Sequence, residues 1–299
     1  MTGTWPGHAQ IRDAAEFGRV CAVAAAGQRD LAQYAQKYPD LFSAKPFDAT
    51  LFGTVSLANA FSAPGLDAQR LRMANRASLW GFGVDWQIDY LATSPAEVAE
   101  VCRRCLAVAG GEAAEEGDPL TRFLAELRAE LAATPGFARV AAAWQEELRR
   151  MLDAMALEFR WRAEVRAGGT PPSLEDYLDN ADNLGSSFVD LSHWLYTTDS
   201  GSPEDLDEVV AASRVEQRVI RLLNDLGTYE RDLAWGDLNA LMLGASRDEV
   251  SACIDQLVDE CRRLTDRLSA RQPELASFLT RQVGFCMGFY RVTDYWGAL

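Results

Sequence analysis

The chain of 299 residues predicts an all-α fold in one domain, 1–299, on three observations. Apolar residues recur at helical spacing through most of the chain, with little of the alternation that a strand requires. Short Pro, Gly and Ser stretches punctuate that pattern, and no long low-complexity linker or solenoid-length repeat divides it. An apolar content of 48% is enough for one large core.

Glu16 to Tyr34 is Ala-rich and favours helix. Lys45-Pro46-Phe47 interrupts the pattern, because Pro removes a backbone donor. A long helical run follows from Leu66 to Leu91, and Ser94-Pro95 opens the next, Glu97 to Val108. Gly110 to Asp118 is acidic and glycine-rich and is expected to be a mobile loop. Pro119 to Leu131 and the long Gly136 to Arg166 read as helices, the second ended by Gly168-Gly-Thr-Pro-Pro. Ser173, with Glu175 and Asp176 behind it, has the form of a capped helix start, and that helix continues to Tyr196. Ser200 to Pro203 is a turn, followed by Glu204 to Arg231, Arg247 to Ala270 and a last helix from Pro273 towards Tyr295.

The net charge of −15 argues against nucleic acid and anionic membrane as partners, since both reward a basic surface. No run approaches the roughly eighteen apolar residues of a membrane span, and the first residues lack the basic and apolar regions of a secretory signal. A cytoplasmic location without stable membrane insertion is therefore expected. The six cysteines, Cys21, Cys102, Cys105, Cys253, Cys261 and Cys286, are scattered as reduced thiols would be. Cys102-Arg-Arg-Cys105 has no second pair to complete a zinc site and reads as helix surface and core. His8 and His193 carry no assigned role.

The chemistry-bearing stretch is Arg221-Leu-Leu-Asn224-Asp225-Leu-Gly-Thr228-Tyr-Glu-Arg231-Asp232. Asn224, Thr228 and Asp232 stand four residues apart and share one helical face. An amide, a hydroxyl and a carboxylate on one face suit a hard cation such as Mg²⁺, which takes oxygen ligands and keeps positions for water or phosphate. A second acidic pair, Asp85 and Asp89, lies on the aromatic segment Leu79-Trp80-Gly-Phe82-Gly-Val-Asp85-Trp86-Gln-Ile-Asp89-Tyr90, where unpaired charge is costly without a cation.

Asn224, Thr228 and Asp232 resemble the (N/D)Dxx(S/T)xxxE motif of class I terpene synthases, with Asp in place of the last Glu. Asp85 and Asp89 resemble the first and last carboxylates of that family's DDxxD motif, with Trp86 where the second Asp stands. The order and separation of the motifs also match, and the resemblance runs from about Leu71 to Trp296. It implies a helical bundle around a central cavity, three Mg²⁺ ions held between Asp85/Asp89 and Asn224/Thr228/Asp232, and a prenyl diphosphate substrate. Arg221 and Arg231 would meet the diphosphate with fork-like donors. Asn180 and Gly185 belong to the segment that resembles the family's broken helix, whose carbonyls face the cation. Trp80, Phe82, Trp86, Tyr90, Phe188 and Trp194 would line a dry aromatic cavity, and Arg291 or Tyr295 would serve where the Arg-Tyr lid pair of the family is missing.

Ala181 stands where bacterial sesquiterpene synthases carry a sensor Arg. The pattern Tyr177-Leu-Asp-Asn180 resembles instead bacterial labdane-related diterpene synthases of the ent-kaurene synthase type. This implies a C20 substrate, copalyl before geranylgeranyl diphosphate, with deprotonation or water capture ending the cation cascade. The alternatives are a sesquiterpene synthase using farnesyl diphosphate and a noncatalytic helical binding protein. The resemblance also admits a homodimer and a class II diterpene cyclase upstream.

Overall fold

The computed structural model describes residues 9–198 and 203–297, and no strand occurs among them. Twelve α-helices carry these residues: α1 (Ala9–Ala35), α2 (Pro39–Phe42), α3 (Ala49–Ser62), α4 (Arg72–Trp86), α5 (Pro95–Gly110), α6 (Pro119–Ala132), α7 (Phe137–Arg166), α8 (Leu174–Asp179), α9 (Ser186–Thr197), α10 (Pro203–Trp235), α11 (Arg247–Ser269) and α12 (Pro273–Phe289). A π-helical turn, Gln87–Leu91, continues α4, and 3₁₀ turns occupy Ala181–Leu184 and Ala240–Leu243.

Local chemistry sets several helix starts. The Asp48 carboxylate accepts the Thr50 and Leu51 N–H groups at α3, Asp118 accepts those of Leu120 and Thr121 at α6, and Ser173 accepts Asp176 N–H at α8. Ser246 and Glu249 form a reciprocal capping box at α11.

Helix α1 packs on α3, α3 on α12, α4 on α9, α5 on α7, and α10 on both α11 and α12. The largest core cluster contains Trp80, Phe123, Trp144 and Phe188; a second joins Tyr177, Val219, Leu222 and Ile254 between α8, α10 and α11. The cavity described below opens between these two clusters.

The sequence reading and the structure differ at α3, at the start of α4 and at the end of α12. Helix α3 had no periodic signal because apolar and small residues surround it on nearly every side, and Leu51, Phe52, Val55 and Ala60 are all buried. The run from Leu66 begins as helix only at Arg72, after the Asp67 carboxylate has captured Arg70 N–H. The segment 110–118 is the expected connection and is held at both ends: Gly111, at φ 108°, closes α5, while Asp118 caps α6 and lies 2.9 Å from Arg104. The last helix stops at Phe289, and residues 290–297 leave it as turns. Cys102 and Cys105 are buried free thiols on α5, consistent with helix residues. His8 and the turn residues 200–202 lie outside the described residues. No described helix is long and apolar enough to cross a membrane.

Candidate active site

A cavity of about 250 Å³ is walled by α3, α4, α7, α9, α10, α12 and the segment after α12. From α4 it receives Ser78, Gly81, Phe82, Asp85 and Asp89, the spacing of one helical face. From α10 it receives Ile220, Arg221, Asn224, Asp225, Arg231 and Asp232. The two acidic motifs therefore face one space.

On the first wall, Asp89 sits in the π turn, closed by the Ala92 N–H donating to Gln87 O at 2.9 Å. That widened turn interrupts the α-helical register between the two carboxylates. Arg162 of α7, 5% exposed, pairs with Asp89 and donates to Asp237 at 2.6 Å. One guanidinium thus pairs with both Asp89 and Asp237. Desolvation, then the neighbouring Asp89, holds the Asp85 carboxyl well above the usual range, with Arg162 opposing. Desolvation likewise pushes Asp89 up to about 7 against the pull of Arg162.

The second wall is a hydrogen-bonded ladder. Thr228 Oγ1 donates to Asp232 Oδ2 at 2.6 Å and lies 3.5 Å from Asn224 Oδ1. Asn239 Nδ2 donates to Asp232 Oδ2 and to Asp225 O, both at 2.9 Å. Burial raises the Asp232 carboxyl, while Thr228, Asn239 and Arg231 draw it back. Arg231 pairs with Asp232 at 3.1 Å and with Asp294 at 2.8 Å. Gly227 lets the end of α12 approach this helix: a Cβ there would lie 2.4 Å from Tyr290 O.

Arg221 stacks on the buried Tyr177 ring at 3.8 Å, pairs with Glu158 at 2.8 Å and donates to Asn183 Oδ1. Its Nε–H has no partner. Tyr177 OH donates to Asp225, whose carboxyl burial pushes up to about 7. The helix expected from Ser173 to Tyr196 is broken into α8, a 3₁₀ turn and α9, with Gly185 at φ 75° on the cavity wall. A Cβ at Gly185 would meet Met151 Sδ at 2.9 Å, so both space and backbone demand glycine there.

Asp85, Asp89, Asn224, Asp232, Arg221, Arg231, Gly185, Phe82, Tyr90, Phe188 and Tyr295 all line the cavity. Other residues expected at the site lie elsewhere. Thr228 is 2% exposed and stands behind Asn224 and Asp232, bonded to the latter. Asn180 is tied into the scaffold, its amide donating to Ala154 O at 2.9 Å. Trp80 points away from the Asp85 face of α4 into the core, donating to Leu120 O at 3.0 Å. Trp194 is a core residue beside Gln272. Trp86 stands at the edge, stacked on Tyr90 with centroids 4.4 Å apart and against Trp296. Arg291 is exposed because the helix ends before it.

The sequence reading missed Glu158, Arg162, Asp237, Asn239, Tyr290 and Trp296. Two signals were available. Glu158 and Arg162 are an i, i+4 charge pair on a helix that also carries buried apolar residues, and Asp237 and Asn239 follow the Gly236 break directly after the second motif.

Among the described residues no three His, Cys, Asp or Glu side chains converge as a ready-made metal cage. The donors nevertheless fit Mg²⁺: both walls offer oxygen, the first carries more carboxylates than Arg162 can balance, and Mg²⁺ habitually completes its shell with water and phosphate. The unpartnered Nε–H of Arg221 fits an anion.

The model of terpene synthase family 2, C-terminal metal binding, matches residues 77–268. The chain is 25% identical over 276 residues to ent-pimara-9(11),15-diene synthase of Streptomyces sp. (strain KO-3988), across 90% of this chain and 91% of that one. The fold is similar to 2-methylisoborneol synthase from Streptomyces coelicolor A3(2), solved with Mg²⁺ and geranyl-S-thiolodiphosphate, with TM-score 0.68, 16% identity and 93% of each chain covered. It is also similar to isoprene synthase from grey poplar (Populus x canescens), solved with three Mg²⁺ ions and dimethylallyl-S-thiolodiphosphate. There the TM-score is 0.68 at 12% identity, over 92% of this chain and 55% of that one, so this chain spans about half the plant enzyme. The match over both motif-bearing helices decides the family: the chain belongs to terpene synthase family 2 and is a terpene synthase.

Proposed function

We propose that this enzyme ionises a C20 prenyl diphosphate, copalyl before geranylgeranyl diphosphate, and guides the resulting carbocation to a product by deprotonation or water capture. The observation that carries this reading is the single cavity onto which Asp85/Asp89, Asn224/Asp232, Arg221 and Arg231 all open. Asp85, Asp89, Asn224 and Asp232 would hold Mg²⁺, which would supply Lewis-acid stabilisation of the leaving diphosphate, while Thr228 fixes the Asp232 carboxyl from behind.

Arg221 and Arg231 offer forked donors to diphosphate oxygens, so negative charge is met by fixed groups as it develops. The C–O bond breaks with its electron pair leaving on diphosphate, and an allylic cation remains. Phe82, Phe188, Tyr295 and Trp296 present aromatic surface to that cation and exclude water that would quench it. The positive φ at Gly185 reorients the backbone between the 3₁₀ turn and α9 beside the same space.

The C20 reading rests on Ala181 in place of a sensor Arg, on Tyr177-Leu-Asp-Asn180, and on similarity to ent-pimara-9(11),15-diene synthase. The test compares kcat/KM for copalyl, geranylgeranyl and farnesyl diphosphates with and without Mg²⁺. We expect Mg²⁺-dependent diphosphate release, fastest with copalyl diphosphate, with leakage to other lengths because one methylene is worth only ~1–3 kcal/mol. A preference for farnesyl diphosphate would replace the C20 reading with a sesquiterpene one; release independent of Mg²⁺ would remove the metal assignment.

A further inference from the structure

Behind the cavity wall, between α9, α10 and α12, two carboxyls lie where neither motif reaches. Asp190 and Glu216 are both 0% exposed. Among the described residues neither is in an ion pair, although a lone buried charge is costly. Ser213 Oγ donates to Asp190 Oδ2, and Ser186 Oγ has two acceptors for its one proton, Glu216 Oε2 at 3.3 Å and Gln217 Oε1 at 3.4 Å. Glu216 Oε1 has no partner, and Asp190 Oδ1 has only the Gln282 side chain beside it. Ser186 itself lines the cavity, as does Gln282, which flanks Asp190.

The Ser213–Asp190 and Ser186–Glu216 bonds join successive turns of α9 to successive turns of α10, so the carboxyls lie on facing turns with no cation paired to either, and one proton held in common spares the pair a second buried charge. We propose that Asp190 and Glu216 share such a proton and, through Ser186, take up the proton lost when the carbocation is quenched. This rests on the reading under Proposed function. In the step, a C–H bond next to the cationic carbon breaks and its electron pair becomes the C=C π bond. The proton passes to Ser186 Oγ while the hydroxyl's own proton moves to Glu216 Oε2, so Ser186 stays neutral and the pair goes from one proton to two. The pair returns to one when product release admits solvent.

The ionisation behaviour agrees. Burial, then Asp190, raises Glu216 well above the carboxylate range; burial pushes Asp190 up to about 7, with Ser213 and Gln282 opposing. The titratable groups facing the pair are Cys261 of α11, Cys286 of α12 and Tyr295, all held neutral by burial. Ser186 is the group that would touch substrate; Asp190 and Glu216 act through it.

The test joins product analysis with infrared spectroscopy of Ser186→Ala, Asp190→Asn and Glu216→Gln. In wild-type-minus-variant infrared difference spectra of the free protein at neutral pH we expect a protonated-carboxyl stretch for Asp190→Asn and Glu216→Gln alike and none for Ser186→Ala. With substrate, the share of the native olefin should fall about tenfold or more in each variant, with prematurely terminated or hydroxylated products in its place. Diphosphate release should fall far less than the native olefin. The native product ratio should also vary with pH in the wild type and not in Ser186→Ala. Absence of the stretch overturns the shared proton, and an unchanged product profile in Ser186→Ala overturns the relay. If the wild type ionises no prenyl diphosphate, the substrate reading fails and takes the relay with it, a result distinct from ionisation with an unchanged profile.

Discussion

The two walls of the cavity solve the problem of holding oxygen ligands in opposite ways. On α10 every ligand has a neighbour: Thr228 and Asn239 both donate to Asp232, and Asn239 also fastens Asp225 O. On the opposite wall Asp89 of the π turn shares Arg162 with Asp237, Asp85 of α4 has no ion pair among the described residues, and desolvation raises both motif carboxyls. The first arrangement is organised before a cation arrives. The second holds carboxyls whose ionisation burial opposes and a cation would favour.

The largest effect should come from breaking the organised wall. Asn224→Ala and Asp232→Ala should each lower kcat/KM by about 10²–10³-fold, since they remove transition-state electrostatics. Circular dichroism should show the fold retained; wild-type rates in either variant would remove the ligand assignment. Next, Arg162→Met should destabilise the metal-free protein by about 3 kcal/mol, the low end for breaking a buried pair because Asp89 and Asp237 keep partial solvent contact. Urea unfolding with and without Mg²⁺ checks it, and Mg²⁺ should recover part of the loss. A variant as stable as the wild type without metal would show that the acidic wall needs no guanidinium.

Acid titration separates the walls from the rest of the interior. His193 is buried against Phe278 with Nδ1 unpartnered, and burial lowers its pKa to about 4. The unfolded chain then binds the proton more readily, so this contribution is intact above the unfolded value near 6.5 and declines as pH falls towards 4. The decline amounts to about 3 kcal/mol. The raised carboxyl of Asp89 has the opposite slope, its stabilisation being lost as pH rises towards 7. His193→Phe should therefore flatten the acid limb while leaving the Mg²⁺-sensitive limb in place; an unchanged acid limb would relocate the titration. The smallest effect is expected for Asp232→Glu, which keeps the carboxylate and restores the usual family residue, with kcat/KM within about tenfold of wild type.

Much of the site was legible because helical spacing converts sequence into direction. Steps of three and four residues put Asn224, Thr228 and Asp232 on one face, and Phe82, Asp85 and Asp89 on another, before any tertiary contact is known. The same spacing could not separate aromatics that face the cavity from those that fill the core. Phe82 and Phe188 line the space, whereas Trp80 and Trp194 are buried behind it, all being apolar surface excluded from bulk water.

The sequence by itself determined an all-α chain, its main breaks, and two oxygen-bearing faces, because propensity, capping and periodicity act within a few residues. Tertiary structure alone decided which charges share a partner. Arg162 meets Asp89 and Asp237 across more than seventy residues, Arg221 reaches Glu158 across sixty-three, and α9 is laid against α10 so that Asp190 meets Ser213 and Ser186 meets Glu216. Burial and charge depend on what the folded chain brings within a few ångströms, and that proximity is fixed by how whole helices pack.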